Sequence, residues 1–417
     1  MAALLALATA SPAWALDENT ASENAAGENA SASDELPELG DSATRVLSPA
    51  REREIGQQFL RQIIQENAYI DDPELNAYLN RLGERIARNA SLRGTPITIH
   101  LIEAKSLNAF AVPGGHITLH SGLVLAAADE SELASVIAHE IAHTSQRHLP
   151  RMLAKAQANA LPAAAALLAS VLVGGQAGLA GFTVANAALL SNQLAYTRDF
   201  EREADSIGIK LLAESGYDPT AMALFFNKLE RSGLGNEVPD FLRTHPLSYT
   251  RTAAAENRAD AYPPRDYPPS RAFYLAQAKI RVLSARENDE VGTTLGYFQD
   301  QLAGDDTDAV QRDAATYGIA LTQQKQRQYD QARATLQPLL DAHPDVIAFQ
   351  LARAGIDLAA GDVAAAAARH QRLAEIDPRP LYLTHYQTEA LIANGDAAGA
   401  KRVVRHQLRR HKDLFTL

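Results

Sequence analysis

Two histidines and a glutamate in SVIAHEIAHTSQRH, residues 135–148, have the types and spacing of a metal site. His139 and His143 are four residues apart, so on a helix they lie one turn apart on one face and can share a zinc ion. Glu140 stands beside them and can accept a proton from an attacking water. The alternative is a helix with solvated histidines. The apolar residues around the motif argue against it, because an unpaired glutamate buried there would be costly.

A catalytic zinc needs a third protein ligand. The chain contains no cysteine, which excludes thiolate ligands, thiol catalysis and disulfides. In DFEREADSIGIKLLAESG, residues 199–216, Glu201 and Asp205 share the stripe of small and apolar residues. We therefore expect Glu201 to be the third ligand, with Asp205 behind a metal-bound histidine, where a carboxylate fixes the ring tautomer. Glu203 is expected to face elsewhere, towards Lys210. The alternative is an acidic surface helix.

Helices that carry or support these residues can be located from periodicity. A helix is predicted from Ser48 and a second over 73–89. Asp129, followed three residues later by Glu132, predicts a capping box for the helix that runs through residue 147. The buried stripe of the first helix is expected to contain Ile55, Phe59, Ile63 and Ile64.

Strands are predicted just before the histidine motif. Residues 96–102 alternate as a strand, and the next residues form two β-prone runs around Pro113-Gly114-Gly115, which indicates a hairpin. Residues 156–197 contain no charged residue. The longest apolar run there is too short for a span of about 20 residues, so buried or surface-packed helices are expected, with a membrane-dipping or gating segment as the alternative.

The N-terminus resembles an export signal followed by a linker. Residues 2–10 are apolar, and Ala13-Trp14-Ala15 has the small-x-small form of a cleavage site. These features predict a signal peptide over residues 1–15, although a positive start is missing and a disordered apolar tail is the alternative. Residues 16–45 predict a disordered linker. Residues 17–41 hold eight acidic and no basic residues, so most of the net charge of −11 lies there. This acidity argues weakly against a nucleic-acid partner.

The C-terminal third repeats with a period of 34 residues, the tetratricopeptide helix–turn–helix period. More degenerate units are expected over 265–313. Chance periodicity in an alanine-rich chain is the alternative, but prolines and glycines repeat in the same frame. The equivalent residues are Ala332, Ala366 and Ala400; Pro344 and Pro378; Gly361 and Gly395.

These patterns predict a mainly α fold with a small β-sheet, an α+β zincin-like peptidase domain over 46–262. An α-helical tetratricopeptide-repeat solenoid is predicted over 263–417.

The combination of H-E-x-x-H, the later E-x-x-x-D and the preceding NAFAVPGG resembles the zincin metallopeptidases related to the CAAX prenyl protease. The signal sequence and C-terminal repeats resemble the periplasmic branch of that family. The resemblance covers nearly all of 46–417. It implies one Zn²⁺ per chain held by His139, His143 and Glu201, with Glu140 as general base and Asp205 behind the ligands.

The stretch THPLSYTR, residues 244–251, fits the family pattern H-P-x-x-x-x-R. The resemblance implies that His245 is a removable fourth zinc ligand and that Arg251 lies near the substrate or the oxyanion. A zinc with four protein ligands has no place for water, so such a histidine would keep the site latent. The alternative for His245 is a loop histidine before a proline.

The resemblance also implies that the run from Asn108 through Ala109 and Phe110 to Val112 is an edge strand beside the cleft, which binds an extended peptide through main-chain hydrogen bonds. Three further histidines have no comparable pattern and are expected to be structural: His116, His120 and His148.

The predicted function is an exported, periplasmic zinc endopeptidase. The resemblance implies that it degrades misfolded or misassembled outer-membrane β-barrel proteins and contacts their assembly machinery through the repeats. A peripheral contact with the membrane is a further expectation. One alternative is a chaperone or adaptor on that machinery with latent proteolysis. A membrane-embedded prenyl-type protease would require several spans, which the chain lacks.

Overall fold

The computed structural model describes residues 42–65, 69–158, 198–232, 239–376 and 381–410. Over these residues the chain is mainly helical with one small β-sheet, as the sequence predicts. The predicted signal peptide, nearly all of the linker and most of the uncharged segment 156–197 lie outside the described residues.

Three helices precede the sheet, and the start of the third follows from local chemistry. The third begins at Pro73, where the missing N–H is tolerated, and Asp72 caps it by accepting a hydrogen bond from Leu75 N at 2.9 Å. On the second helix Ile64 is 50% exposed, so its predicted place on the buried stripe is wrong. It lies about 100° around the helix from Ile63, which is buried. The helices are α1 (Ser42–Val46), α2 (Pro49–Gln65) and α3 (Pro73–Ala87).

A three-stranded sheet follows, in the order β1-β3-β2. β1 pairs with β3 in parallel, and β2 pairs with β3 antiparallel. The turn between β2 and β3 contains Gly114 and Gly115, both at positive φ, and a Cβ on Gly115 would lie 2.0 Å from Pro96 O. The predicted hairpin is therefore confirmed. The strands are β1 (Thr98–Ile102), β2 (Ala109–Val112) and β3 (His116–His120).

The helix that carries the histidine motif, α5, is buried along almost its whole length. Asp129 caps it by accepting from Glu132 N at 2.9 Å, so the predicted N-cap is confirmed. The Glu132 carboxylate accepts from Ala128 N at 2.7 Å, one residue before the N-cap, so the reciprocal half of the predicted capping box is wrong. The helix ends at Ser145, two residues before the predicted end. The helices of this part of the chain are α4 (Ser121–Ala126), α5 (Glu130–Ser145) and α6 (His148–Ala158).

Four helices after residue 197 complete the surroundings of α5. The first two pack directly against it. The other two carry the segment that contains His245 and Arg251. They are α7 (Arg198–Glu214), α8 (Ala221–Ser232), α9 (Asp240–Thr244) and α10 (Tyr249–Ala259).

The remaining helices pack consecutively along the chain. The ends of α13, α15 and α17 are 34 residues apart, as are the starts of α14, α16 and α18. Between them Arg327, Gly361 and Gly395 have positive φ at the same interval. The helices are α11 (Arg271–Ser284), α12 (Asn288–Ala303), α13 (Ala309–Lys325), α14 (Tyr329–Ala342), α15 (Ile347–Ala359), α16 (Val363–Ile376), α17 (Leu381–Ala393) and α18 (Ala397–Arg410).

Two hydrophobic cores meet on α11. Phe273, on one side of this helix, packs in the core that surrounds α5 and the sheet. Leu275 packs in the core of the C-terminal helices. The predicted domain boundary at residue 262 lies just before this shared helix and stays a prediction.

No helix in the described part of the chain is long and apolar enough to cross a membrane.

Candidate metal centre

Helices α5 and α7 bring the two halves of the predicted site together. They pack closely at Gly208, where an added Cβ would lie 2.8 Å from Met222 Cε and 3.4 Å from His139 N. The absence of a side chain at this position therefore lets α7 approach α5 beside the histidine motif. As a result Glu201, one turn into α7, faces the two histidines of α5.

Four predicted ligands converge: His139, His143, Glu201 and His245. His139 Nε2 lies 3.0 Å from His143 Nε2, 3.3 Å from His245 Nδ1 and 3.5 Å from Glu201 Oε2. Glu201 Oε1 lies 3.4 Å from His143 Nε2 and 3.2 Å from His245 Nδ1. None of the four residues is more than 2% exposed.

This donor set fits a cation with tetrahedral coordination. Ligand atoms held about 2.0–2.1 Å from a tetrahedral zinc lie about 3.3–3.4 Å from one another, close to the spacings between these atoms. Imidazole nitrogens and a carboxylate are zinc ligands. A buried group of acceptor atoms this close is also unfavourable unless protons or a cation lie among them.

The two carboxylates at this site, Glu201 and Asp205, are held in their charged form. Burial alone would raise the pKa of Glu201, but His245, His139 and His143 outweigh it and lower the pKa well below its usual range. Burial likewise opposes charge on Asp205, whereas Arg251 and His139 lower its pKa. Both groups are therefore suited to neighbour a metal cation.

Asp205 lies where the sequence predicts, behind His139. Its Oδ1 is 3.2 Å from His139 Nδ1, while the ring presents Nε2 to the other ligands. A carboxylate in this position fixes the tautomer that leaves Nε2 free to bind a metal.

Arg251 is buried behind the carboxylates. Its Nε and Nη2 donate to the two Asp205 oxygens at 2.8 Å, and its Nη1 lies 2.8 Å from both Glu201 Oε2 and Pro246 O. This geometry favours a positioning role for the guanidinium. The predicted oxyanion role would require one of these pairs to break.

Glu140 is fully buried, and neither of its carboxylate oxygens accepts a hydrogen bond from the described residues. His245 Nε2 lies 3.4 Å from Glu140 Oε1, while Nδ1 of the same ring faces the other ligands. Phe241 stacks on this ring with centroids 4.5 Å apart. The His245 imidazole therefore lies between the other three ligands and the predicted general base.

The predicted edge strand lies at the edge of the sheet. Asn108 O accepts from His120 N at 3.0 Å. In an antiparallel pair such hydrogen-bonded positions alternate, so the backbone groups of Ala109 and Ala111 face away from β3, whereas those of Phe110 pair with it. A cavity of about 30 Å³ beside this strand is lined by Ala111, Val112, His143, Thr144 and Arg147 among others.

The three histidines expected to be structural divide into two groups. His116 Nδ1 is 3.0 Å from His100 Nε2, and His120 Nδ1 is 2.8 Å from Ser106 Oγ, both outside the ligand cluster. His148 instead contacts the ligand His143, with Nδ1 to Nδ1 at 2.8 Å. Its spacing of five residues from His143 gives no helical same-face signal, so sequence reasoning did not connect the two.

A buried HExxH helix, a glutamate from a second helix and a carboxylate behind His139 are the features of a metallopeptidase centre. Residues 73–259 match the family model described as peptidase family M48. The chain belongs to this family.

The relatives that this chain resembles include the beta-barrel assembly-enhancing protease of Yersinia pestis, 38% identical over 344 residues, which are 82% of this chain and 70% of the relative. The protein of the same name in Escherichia coli (strain K12) is 39% identical over 319 residues, 76% of this chain. The mitochondrial metalloendopeptidase OMA1 of Arabidopsis thaliana is 29% identical over 187 residues, 45% of this chain and 36% of the relative.

The matched region spans 64% of the length of the Escherichia coli relatives.

Proposed function

We propose that this protein is a zinc-dependent endopeptidase whose centre is formed by His139, His143 and Glu201, with Glu140 as general base. The observation that carries the proposal is the set of buried ligand atoms with near-tetrahedral spacing beside a glutamate whose oxygens accept no hydrogen bond from the described residues. The printed names of the relatives, protease and metalloendopeptidase, support it and favour it over the adaptor alternative.

In the mechanism each residue has a separate task. When bound, zinc supplies Lewis-acid polarisation of the scissile carbonyl and acidifies the attacking water. Glu140 accepts a proton from that water and delivers it to the leaving amine. Asp205 holds the His139 ring, and Arg251 holds Asp205 and Glu201.

We further propose that the described arrangement is latent and that His245 is the gate. Its Nδ1 faces the other ligands and its Nε2 faces Glu140. The ring therefore fills the position that a zinc-bound water in contact with Glu140 would need. Displacing this one neutral imidazole would expose a coordination position and the base together.

The substrates are proposed to be unfolded or misassembled polypeptides bound along β2. Addition of a strand to the free edge uses main-chain groups, which is largely independent of sequence. The relatives' printed name supports outer-membrane β-barrel proteins as the substrate class. Export to the periplasm through residues 1–15 belongs to the same proposal.

The C-terminal helices are proposed to form a tetratricopeptide-repeat solenoid over 263–417. Support comes from the 34-residue spacing of helix ends and of positive-φ residues, and from Ala332, Ala366 and Ala400, which are all buried. Such an array presents an extended binding surface. We propose that it holds the substrate or the outer-membrane assembly machinery, with peripheral membrane contact as part of that role.

The experiment that tests the proposed function compares wild type, Glu140→Gln and His245→Ala for zinc content and for cleavage of casein and an unfolded β-barrel protein. About one zinc per chain is expected in all three. His245→Ala should cleave faster than wild type, and Glu140→Gln should not cleave. His116→Ala is the matched control and should behave as wild type.

Cleavage by Glu140→Gln at the wild-type rate would refute the assigned base. If His245→Ala binds zinc but cleaves no faster than wild type, the gate is refuted.

A further inference from the structure

Another buried histidine, His148, lies directly behind the proposed metal ligand His143. His143 presents Nε2 to His139 and Glu201, and its Nδ1 lies 2.8 Å from Nδ1 of His148. His148 is 0% exposed, and its Nε2 lies 3.1 Å from Glu203 Oε2. A continuous line of contacts therefore runs from the ligand cluster through His148 to a carboxylate at the surface.

The hydrogens along this line can be assigned in one way once His143 binds a metal through Nε2. Its Nδ1 must then carry the hydrogen and donate to His148. His148 Nδ1 is the acceptor, so the hydrogen of His148 is on Nε2, which donates to Glu203. Each contact then has one donor and one acceptor.

Packing holds the His148 ring in this orientation. Phe200 stacks on it with centroids 4.6 Å apart and planes 19° from parallel. The Arg151 guanidinium lies over the Phe200 ring, 4.8 Å from its centroid. Its Nη1 lies 3.0 Å from Glu203 Oε2. The carboxylate that receives the His148 hydrogen is thus itself fixed.

The backbone explains how a residue five positions after His143 reaches the same ring. On a continuous helix the two side chains would point about 140° apart. The helix ends at Ser145, and Arg147 adopts φ 51° before α6 begins at His148. This break turns His148 back towards α5.

We propose that His148 is a positioning residue for the metal centre: it holds the His143 ring so that Nε2 faces the ion, and Glu203 orients it in turn. The two histidine ligands of α5 are then supported alike, His139 by Asp205 directly and His143 by Glu203 through His148. The inference rests on the proposed function, because it requires His143 to be a ligand.

The test measures the affinity of purified full-length protein for zinc alone, by competition with a chromophoric chelator. His148→Phe keeps a ring that can stack on Phe200 but removes the acceptor, and it should weaken zinc binding about 10- to 100-fold, the usual cost of losing such an outer partner. His148→Gln, which can still accept and donate, should recover most of this loss. His120→Phe, a second buried histidine outside the cluster, is the control and should bind as wild type.

Each other outcome is decisive. Equal affinity of wild type and His148→Phe would overturn the inference while leaving the metal centre intact. A loss that His148→Gln does not reduce would assign His148 a packing role only. If the metal-free His148→Phe protein shows no cooperative thermal unfolding, Glu203→Ala is the deciding variant, because Glu203 lies partly at the surface. Unchanged zinc affinity of Glu203→Ala would then overturn the inference. If wild type binds no zinc, the proposed function itself fails.

Discussion

At the scale of the residue, the proposed metal centre is a set of buried charges that stabilise one another. Glu201 and Asp205 are kept ionised, and Arg251 provides one compensating positive charge through contacts at 2.8 Å. Burial of charge without a partner costs several kcal/mol. A dication bound by Glu201 would supply the remaining compensation, so we expect the metal to stabilise the fold as well as to serve chemistry.

A buried histidine away from the centre provides a pH-dependent prediction. Burial lowers the pKa of His120 to about 4 in the folded protein, against about 6.5 in an unfolded chain. Between these values the unfolded state binds more protons, so stability falls as the pH falls from 6.5 towards 4. His120 alone should reduce the free energy of unfolding by about 2 kcal/mol between pH 7 and pH 5.

The measurement is urea unfolding of wild type and His120→Gln at both pH values. The glutamine can keep the hydrogen bond to Ser106 but does not titrate, so the loss of stability between pH 7 and pH 5 should be smaller by about 2 kcal/mol. An identical loss in both proteins would contradict the assignment.

At the scale of the element, the β2 strand combines two properties that a peptide-binding edge requires. Within the described sheet only its β3 side is paired, and its outward backbone groups belong to Ala109 and Ala111. The cavity beside it reaches His143. A bound peptide strand would therefore run next to the ligand cluster.

Ala111→Pro should reduce kcat/KM for unfolded substrates about tenfold, because proline removes one outward-facing N–H without removing a bond to β3. Peptidase assays in the His245→Ala background measure this. Ala111→Val keeps the N–H and is the matched control. Equal activity of the proline and valine variants would argue against strand addition at this edge.

At the scale of the whole molecule, a buried lysine joins α3, α11 and α17. Lys279 Nζ lies 2.7 Å from Asp72 Oδ2 and 2.8 Å from Glu74 Oε2, and it lies 3.4 Å from the Tyr386 hydroxyl. Burial disfavours its charge, but the two acids and their neighbours outweigh this and raise its pKa well above the usual value. The contact connects the N-terminus of α3, which supports the sheet, to a helix near the C-terminus.

Lys279→Met should lower the free energy of unfolding by about 2–3 kcal/mol, since it leaves two poorly solvated carboxylates without their counter-charge. It should also loosen α17, which hydrogen exchange would detect as faster exchange of its amides. Lys105→Met is the control, because Lys105 also pairs with a glutamate, Glu290, but its side chain is 88% exposed. Equal stability of both variants and wild type would mean that the buried cluster contributes nothing.

Local patterns in the sequence determined the elements and most of the candidate centre. The four-residue spacings of His139 with His143 and of Glu201 with Asp205 survive folding, because each pair lies on one helix whose geometry fixes its face. The caps, the glycine turn and the 34-residue period are also local. Ile64 shows where such reasoning fails, since a stripe predicted from periodicity does not specify its width.

Tertiary packing alone sets the contacts made across elements. It placed His245 between the ligand cluster and Glu140, turned Arg251 towards the carboxylates, and brought His148 behind His143. It also directed Ala109 and Ala111 outward, because strand register depends on the partner strand. These contacts depend on where helices end, on helix packing and on strand register. All three bring together residues whose spacing along the sequence carries no periodic signal.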